Sequence, residues 1–349
     1  MGILIPLVII AVCSVLLWRS CSNFDRHSKV IGVNLTDGVR GASINAIAGS
    51  LPEFFTALFF LFLVNDVEGF SAGLATVLGS AIFNILLIPA VVIIVLVRNN
   101  HDVLIRKKLI IRDTGILLVS QIALLYFIQD SVISLLDSFY LFLIYVSYLF
   151  ILTRGGLFTK NDNKEIHSKR ISNSLKGILK SITLISIWCF VLVYACELLG
   201  TNEYPAFLSF LGNLKGLGWD LMFVALIFAA AASSVPDMLI SYLDARNGET
   251  DDSIANPIAS NLFDICVAFG LPLFLYTLFK GEISFEESGS LALAELTKLI
   301  ELMIAITLIF LISVLISKKY RLAHSVLFVL VYAVFMFLVF NLDLIPDSI

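Results

Sequence analysis

The sequence predicts an all-α integral membrane protein of ten transmembrane helices, arranged as two five-helix repeats that cross the bilayer in opposite directions. Three observations predict it. Of 349 residues, 59% are hydrophobic and only 14% charged, with a mean hydropathy of +0.98, whereas soluble domains carry about 25% charged residues. Apolar runs recur at lengths that cross a hydrocarbon core roughly 30 Å thick. Inside those runs, two polar motifs repeat about half a chain apart. A chain this apolar cannot cover itself with polar surface in water, so lipid is its solvent. The composition excludes a disordered chain, a disulfide scaffold and a nucleic-acid binder.

The spans fall at about 2–18, 35–64, 70–97, 113–129, 133–153, 177–199, 217–243, 252–279, 295–317 and 322–342. The first reads as a span and not as a signal peptide, because it lacks a basic n-region and an A-x-A site and is followed by Arg19, Arg26 and Lys29. With the N-terminus outside, the inner loops collect every one of the 23 Lys and Arg residues except Lys215, Lys280 and Lys298. The positive-inside rule therefore places both termini on the extracytoplasmic side of a plasma or inner membrane. The hydrophilic stretch 154–176 reads as a basic cytoplasmic linker between a first repeat, 1–153, and a second, 177–349. Trp18, Trp219 and Tyr320 stand near span ends, where interfacial anchoring is expected. The five cysteines sit in or beside apolar runs without paired spacing and read as packing residues. The four histidines lie far apart with no cysteine at ligand spacing, so no zinc or copper site is expected.

The second and third spans carry Ser50-Leu51-Pro52-Glu53 and Gly79-Ser80-Ala81-Ile82-Phe83-Asn84; the seventh and eighth carry Ser234-Val235-Pro236-Asp237 and Ala259-Ser260-Asn261-Leu262-Phe263-Asp264. The offset is 184 residues between the acids Glu53 and Asp237, and 180 between Asn84 and Asp264. A repeat of five spans is odd-numbered, so the two copies insert in opposite directions, as in many secondary transporters.

Each motif has a physical reading. A proline inside a helix frees the carbonyl four residues earlier, here Ala48 and Ala232, and a helix broken at that point offers backbone oxygens to a cation. Thr76, Ser80 and Asn84 recur every four residues, as do Asn256, Ser260 and Asp264, so each trio shares one helix face. Together they predict a midplane cage of Glu53, Asp237, Asp264, Asn84 and the hydroxyls of Ser50, Ser80, Ser234 and Ser260. Hard oxygen donors of this kind suit Ca²⁺ or Na⁺. Ser-x-x-Glu is also a helix cap, worth about 0.5–2 kcal/mol. A carboxylate at membrane depth costs roughly 2.5–3.5 kcal/mol, so three acids cost more than two caps return. Asn45 and Gln121 read as interhelical hydrogen-bonding residues, and Asp37–Arg40 as a local ion pair.

At these residues the chain resembles the sodium/calcium exchanger superfamily, over about 35–95 and 219–275. The second copy, Ala231-Ala232-Ser233-Ser234-Val235-Pro236-Asp237 followed by Ser260-Asn261-Leu262-Phe263-Asp264, is most similar to the potassium-dependent branch. The resemblance implies calcium moved against sodium by alternating access, with K⁺ as an optional third ion, and no cofactor, catalytic residue or nucleic-acid partner. It implies that Glu53 and Asp237 are shared ion ligands, that Asn84 and Asp264 are a midplane pair, and that the four serines ligate through their hydroxyls. Two departures join the site: Gly49, where many members carry Thr, offers only its carbonyl, and Ser233 stands where members carry Thr. The first and sixth spans are implied to be the pair that slides to switch access. The alternative on the same fold is exchange of Ca²⁺ or another divalent cation for protons. A channel would have to release Ca²⁺ from a dense carboxylate site quickly, and an intramembrane protease would carry a Gly-x-Gly-Asp context that is absent here.

Overall fold

The computed structural model describes residues 2–31, 46–64, 66–99, 101, 103, 107–153, 168–205, 214–248, 250–285 and 290–341. Apolar composition makes helices the only economical backbone in lipid, since every N–H and C=O must bond within its own segment. The helices are α1 (Leu4–Ile31), α2 (Ala46–Leu63), α3 (Asp66–Arg98), α4 (Lys107–Ile128), α5 (Leu135–Thr153) and α6 (Ser168–Gly200). α7 (Leu221–Asn247) follows. α8 runs as Thr250–Phe263, a π-helical turn Asp264–Phe269 and Gly270–Lys280; α9 (Ser290–Ile316) and α10 (Leu322–Asn341) complete the bundle. Among the described residues, nine helices are long and apolar enough to cross a bilayer, and α2 is a shorter apolar helix, Ile47–Leu63. Asn45, Asp37 and Arg40 lie outside the described residues, as does 154–167; the rest of the expected linker, 168–176, is already helical within α6.

The packing repeats as the sequence does. α1 lies on α7 as α6 lies on α2; α2 on α3 as α7 on α8; α3 on α7 as α8 on α2. α3 also packs against α9 and α10, and α8 correspondingly against α4 and α5. The longest seam joins α1 to α6 and buries Cys13, Cys21, Cys189 and Cys196, all free thiols used as packing. Outward faces are apolar: Leu4, Val8, Val12 and Val15 make one exposed stripe along α1, spaced as a lipid-facing helix requires.

The connections are clipped at both ends of the bundle. β1 (Val132–Ile133), between α4 and α5, pairs antiparallel with β2 (Ile283–Ser284), between α8 and α9, with Val132 opposite Ser284 and Ile133 opposite Ile283. At the opposite end of α4, the Tyr320 N–H donates to the Val103 carbonyl at 2.9 Å, tying the α9–α10 turn to the α3–α4 connection. Tyr320 corrects an expectation. Its ring is fully buried rather than interfacial, its hydroxyl is 3.1 Å from that of Ser313, and it meets Phe328 edge-on. The turn is short enough that the ring folds inward and closes the hairpin. Gln121 does bridge helices as expected, its Nε2 donating to Thr307 Oγ1 of α9 at 2.9 Å.

Candidate cation site

α2, α3, α7 and α8 bring the repeated polar residues into one buried cluster. Glu53, Ser50, Ser80, Asn84, Ser233, Ser234 and Asp264 are wholly inaccessible, and Asp237 and Ser260 nearly so. Neither proline breaks its helix: α2 runs through Pro52 and α7 through Pro236. π-helical turns occur elsewhere, at Ala225–Ala229 in α7, upstream of Pro236, and at Asp264–Phe269 in α8, just before Pro272. Hydroxyls near the prolines bond backbone carbonyls of their own helices. Thr56 Oγ1 donates to the Pro52 carbonyl at 2.6 Å, and the Ser233 and Ser234 hydroxyls turn back to the Ala230 carbonyl at 3.2 and 2.8 Å.

The contacts obey the repeat. Ser80 donates to Glu53 Oε1 at 3.1 Å, and its equivalent Ser260 donates to Asp237 Oδ2 at 2.9 Å. Ser234 Oγ lies 2.9 Å from Ser80 Oγ, and the equivalent pair, Ser50 and Ser260, share a hydrogen bond of 2.9 Å. The symmetry fails at one contact. Asn84 Nδ2 donates to Asp237 Oδ2 at 3.2 Å, but the equivalent residue is Asp264, which faces Glu53 as acceptor against acceptor. Glu53 Oε2, both Asp264 oxygens and Asn84 Oδ1 are buried and accept no hydrogen bond of good geometry, although the Ser50 hydroxyl faces Asp264. The three carboxyls are close enough to act on one another electrostatically. Among the described residues no three His, Cys, Asp or Glu side chains gather closely enough to hold a metal by themselves; serines and Asn84 stand between the acids.

Two glycines set the spacing. A Cβ on Gly49 would run into the Asp237 carboxylate, so the absence of a side chain there is what lets the acid seat against α2. A Cβ on Gly79 would run into the Leu226 carbonyl, within the α7 π-turn, where α3 crosses α7. Thr76 bonds only the Ala72 carbonyl of its own helix, and Asn256 is half-buried outside this network. Asn261 was missed as a contributor, although it stands in the repeated motif opposite Ala81. Its Nδ2 donates to the Ala81 carbonyl at 2.9 Å and its Oδ1 accepts from Asn84 at 3.0 Å, pinning α8 to α3 at their crossing. The signal was the asymmetry itself: one copy carries an amide where the other carries the methyl that makes room for it.

The sodium/calcium exchanger protein family matches residues 3–154 and 173–341. The chain belongs to the sodium/calcium exchanger family. This is a family of exchangers rather than of enzymes. Among its relatives, sodium/potassium/calcium exchanger 1 of Gallus gallus is 37% identical over 70 residues, 20% of this chain and 10% of that protein. Sodium/potassium/calcium exchanger 3 of Rattus norvegicus is 34% identical over 91 residues, 26% of this chain and 15% of that protein. The matched segments are thus a small part of those relatives. The fold is shared with the H⁺/Ca²⁺ exchanger CAX, at a TM-score of 0.66 and 12% identity, covering 96% of this chain and 87% of the other. It is shared also with the sodium-calcium exchanger NCX_Mj, at a TM-score of 0.63 and 18% identity, covering 96% and 99%.

Proposed function

We propose that this protein is a secondary active antiporter that exchanges Ca²⁺ for Na⁺ by alternating access through the central cage. The observation that carries the reading is the broken symmetry of the cage. Where one half holds Asn84 against Asp237, the other sets Glu53 beside Asp264, and Glu53 Oε2 and both Asp264 oxygens are buried without a hydrogen bond of good geometry. Buried carboxylates with oxygens left unbonded are severely unfavourable unless positive charge sits among them. Glu53, Asp237, Asp264 and Asn84, with the hydroxyls of Ser50, Ser80, Ser234, Ser260 and Ser233 and the Gly49 carbonyl, form an all-oxygen set that fits Ca²⁺ or Na⁺ as transported substrate.

The mechanism follows from charge. Three carboxylates supply about −3, which one Ca²⁺ or several Na⁺ largely neutralise. An ion-free cage keeps its self-repulsion and its desolvation cost, so it crosses poorly between the two access states, and that penalty enforces coupling. α1 and α6, packed on each other and against α7 and α2, are the pair that slides to switch access. Coupling to sodium is favoured over coupling to protons by the four hydroxyls that touch the acids or one another, because a proton needs no such shell. Potassium dependence is the finer expectation, supported by similarity to the potassium-dependent relatives.

The test is radioactive calcium uptake into proteoliposomes loaded with sodium and diluted into sodium-free buffer, with and without potassium. Uptake that disappears when the sodium gradient is removed supports the proposal, and its response to potassium assigns the branch. Uptake that ignores sodium and follows a pH gradient replaces the coupling ion.

A further inference from the structure

At the end of the bundle where Tyr320 meets Val103, a second feature stands apart from the ion pathway. A cavity of about 540 Å³ opens at the α9–α10 turn, lined by Val97, His101, Lys319, Arg321 and Leu322 among others. Buried Tyr320 anchors the turn from within, so its neighbours Lys319 and Arg321 are both held outward and exposed. His101 closes the far wall, its ring 3.2 Å from where a Cβ on Gly248 would stand at the end of α7. Among the described residues no acidic side chain lines the cavity, and Arg321 pairs with no acid. Arg98, at the end of α3, adds positive charge to the same end, while at the end of α7 Arg246 is matched by Asp244 two residues earlier.

Two neighbouring surfaces argue for the kind of ligand. The walls contributed by Val97 and Leu322 are apolar. Leu322, Val326 and Leu330, successive residues on one face of α10, are 49%, 59% and 57% exposed and continue from the cavity mouth along the helix. A basic pocket with an apolar track leading into the bilayer is suited to a molecule with an anionic head and a hydrocarbon tail.

We propose that this cavity binds the phosphate headgroup of an anionic phospholipid, with an acyl chain laid along the exposed face of α10. The lipid would brace the α9–α10 hairpin, which packs on α3, and so couple membrane composition to the helix that carries Ser80 and Asn84. The cavity's shared chemistry with free phosphate is separated by the apolar track, which only a lipid uses.

The experiment is native mass spectrometry of the intact purified chain in detergent, titrated with phosphatidylglycerol or with phosphatidylcholine of the same acyl chains. Phosphatidylglycerol is retained preferentially, and Arg321→Gln and Lys319→Gln each weaken its retention about fivefold, the loss expected for one interfacial charge. Arg321→Lys, which keeps the charge, retains binding, and Lys280→Gln, at the end of α8, leaves it unchanged. Millimolar inorganic phosphate fails to displace the lipid. Equal retention of the two lipids, or undiminished phosphatidylglycerol retention in the Arg321→Gln/Lys319→Gln double variant, overturns the proposal. Full displacement by inorganic phosphate overturns the lipid assignment.

Discussion

Replacing Gly49 by alanine tests the cage through a single methyl group. The added Cβ would collide with the Asp237 carboxylate, and that acid is already held from the other side by Ser260 at 2.9 Å and Asn84 at 3.2 Å. The acid can yield only by giving up one of those bonds. A hydrogen bond to a charged group contributes about 1.5–3 kcal/mol, and 1.36 kcal/mol is a factor of ten, so the expected rise in KM for calcium is about 10- to 150-fold. Gly73→Ala is the control: it lies in α3's contact with α2, away from Asp237, and a Cβ there meets its nearest atom at 3.5 Å, an ordinary contact. The assay is sodium-driven calcium uptake in proteoliposomes at equal reconstituted protein, with both variants checked for monodispersity. Wild-type KM in Gly49→Ala would refute the reasoning, because it would mean that Asp237 does not occupy the space that the missing side chain leaves.

Further expectations follow from the surrounding contacts. Asn261→Ala removes the bonds to Ala81 and Asn84 and should lower stability by about 1–2 kcal/mol while raising KM a few-fold, read by thermal unfolding in detergent and by uptake. A double-mutant cycle of Gln121→Leu and Thr307→Val should give a coupling near the membrane average of about 0.6 kcal/mol with transport unchanged; additivity would mean that the bond contributes nothing. Tyr320→Phe removes the contact with Ser313 and should cost about 1 kcal/mol in unfolding without altering calcium affinity. Arg112→Gln leaves Asp113, now held by Tyr148 at 3.0 Å, without its 2.7 Å guanidinium partner. Since Arg112 is about a third exposed, the loss should be near 2 kcal/mol, below the range of a fully buried pair.

Much of this arrangement was legible in the chain because lipid makes polar residues conspicuous. Glu53 and Asp237, and Asn84 and Asp264, stood out as acids and amides inside apolar runs, and their two offsets announced the repeat before any contact was known. Four-residue spacing placed Ser80 with Asn84 and Ser260 with Asp264 on single faces, and the structure brings all four together. What stayed hidden depends on three-dimensional fit. Neither π-turn falls at Pro52 or Pro236: one lies upstream of Pro236 in α7 and the other just before Pro272 in α8, and which carbonyls find a partner there is set by packing. The role of Asn261 needed the crossing point with Ala81. Tyr320 carries the same residue type whether it faces headgroups or closes a hairpin, and only the length of the α9–α10 turn decides. The clip between β1 and β2 joins segments about 150 residues apart, which local pattern cannot register.

The central claim, that Glu53 and Asp264 complete one cage in which calcium and sodium compete, is tested most directly by equilibrium binding of radioactive calcium to the purified protein. The account predicts saturable binding that rising sodium displaces with a sigmoidal dependence, and that Glu53→Gln and Asp264→Asn each abolish in folded protein. Calcium binding that persists undiminished in Glu53→Gln, or that sodium leaves untouched, would contradict it.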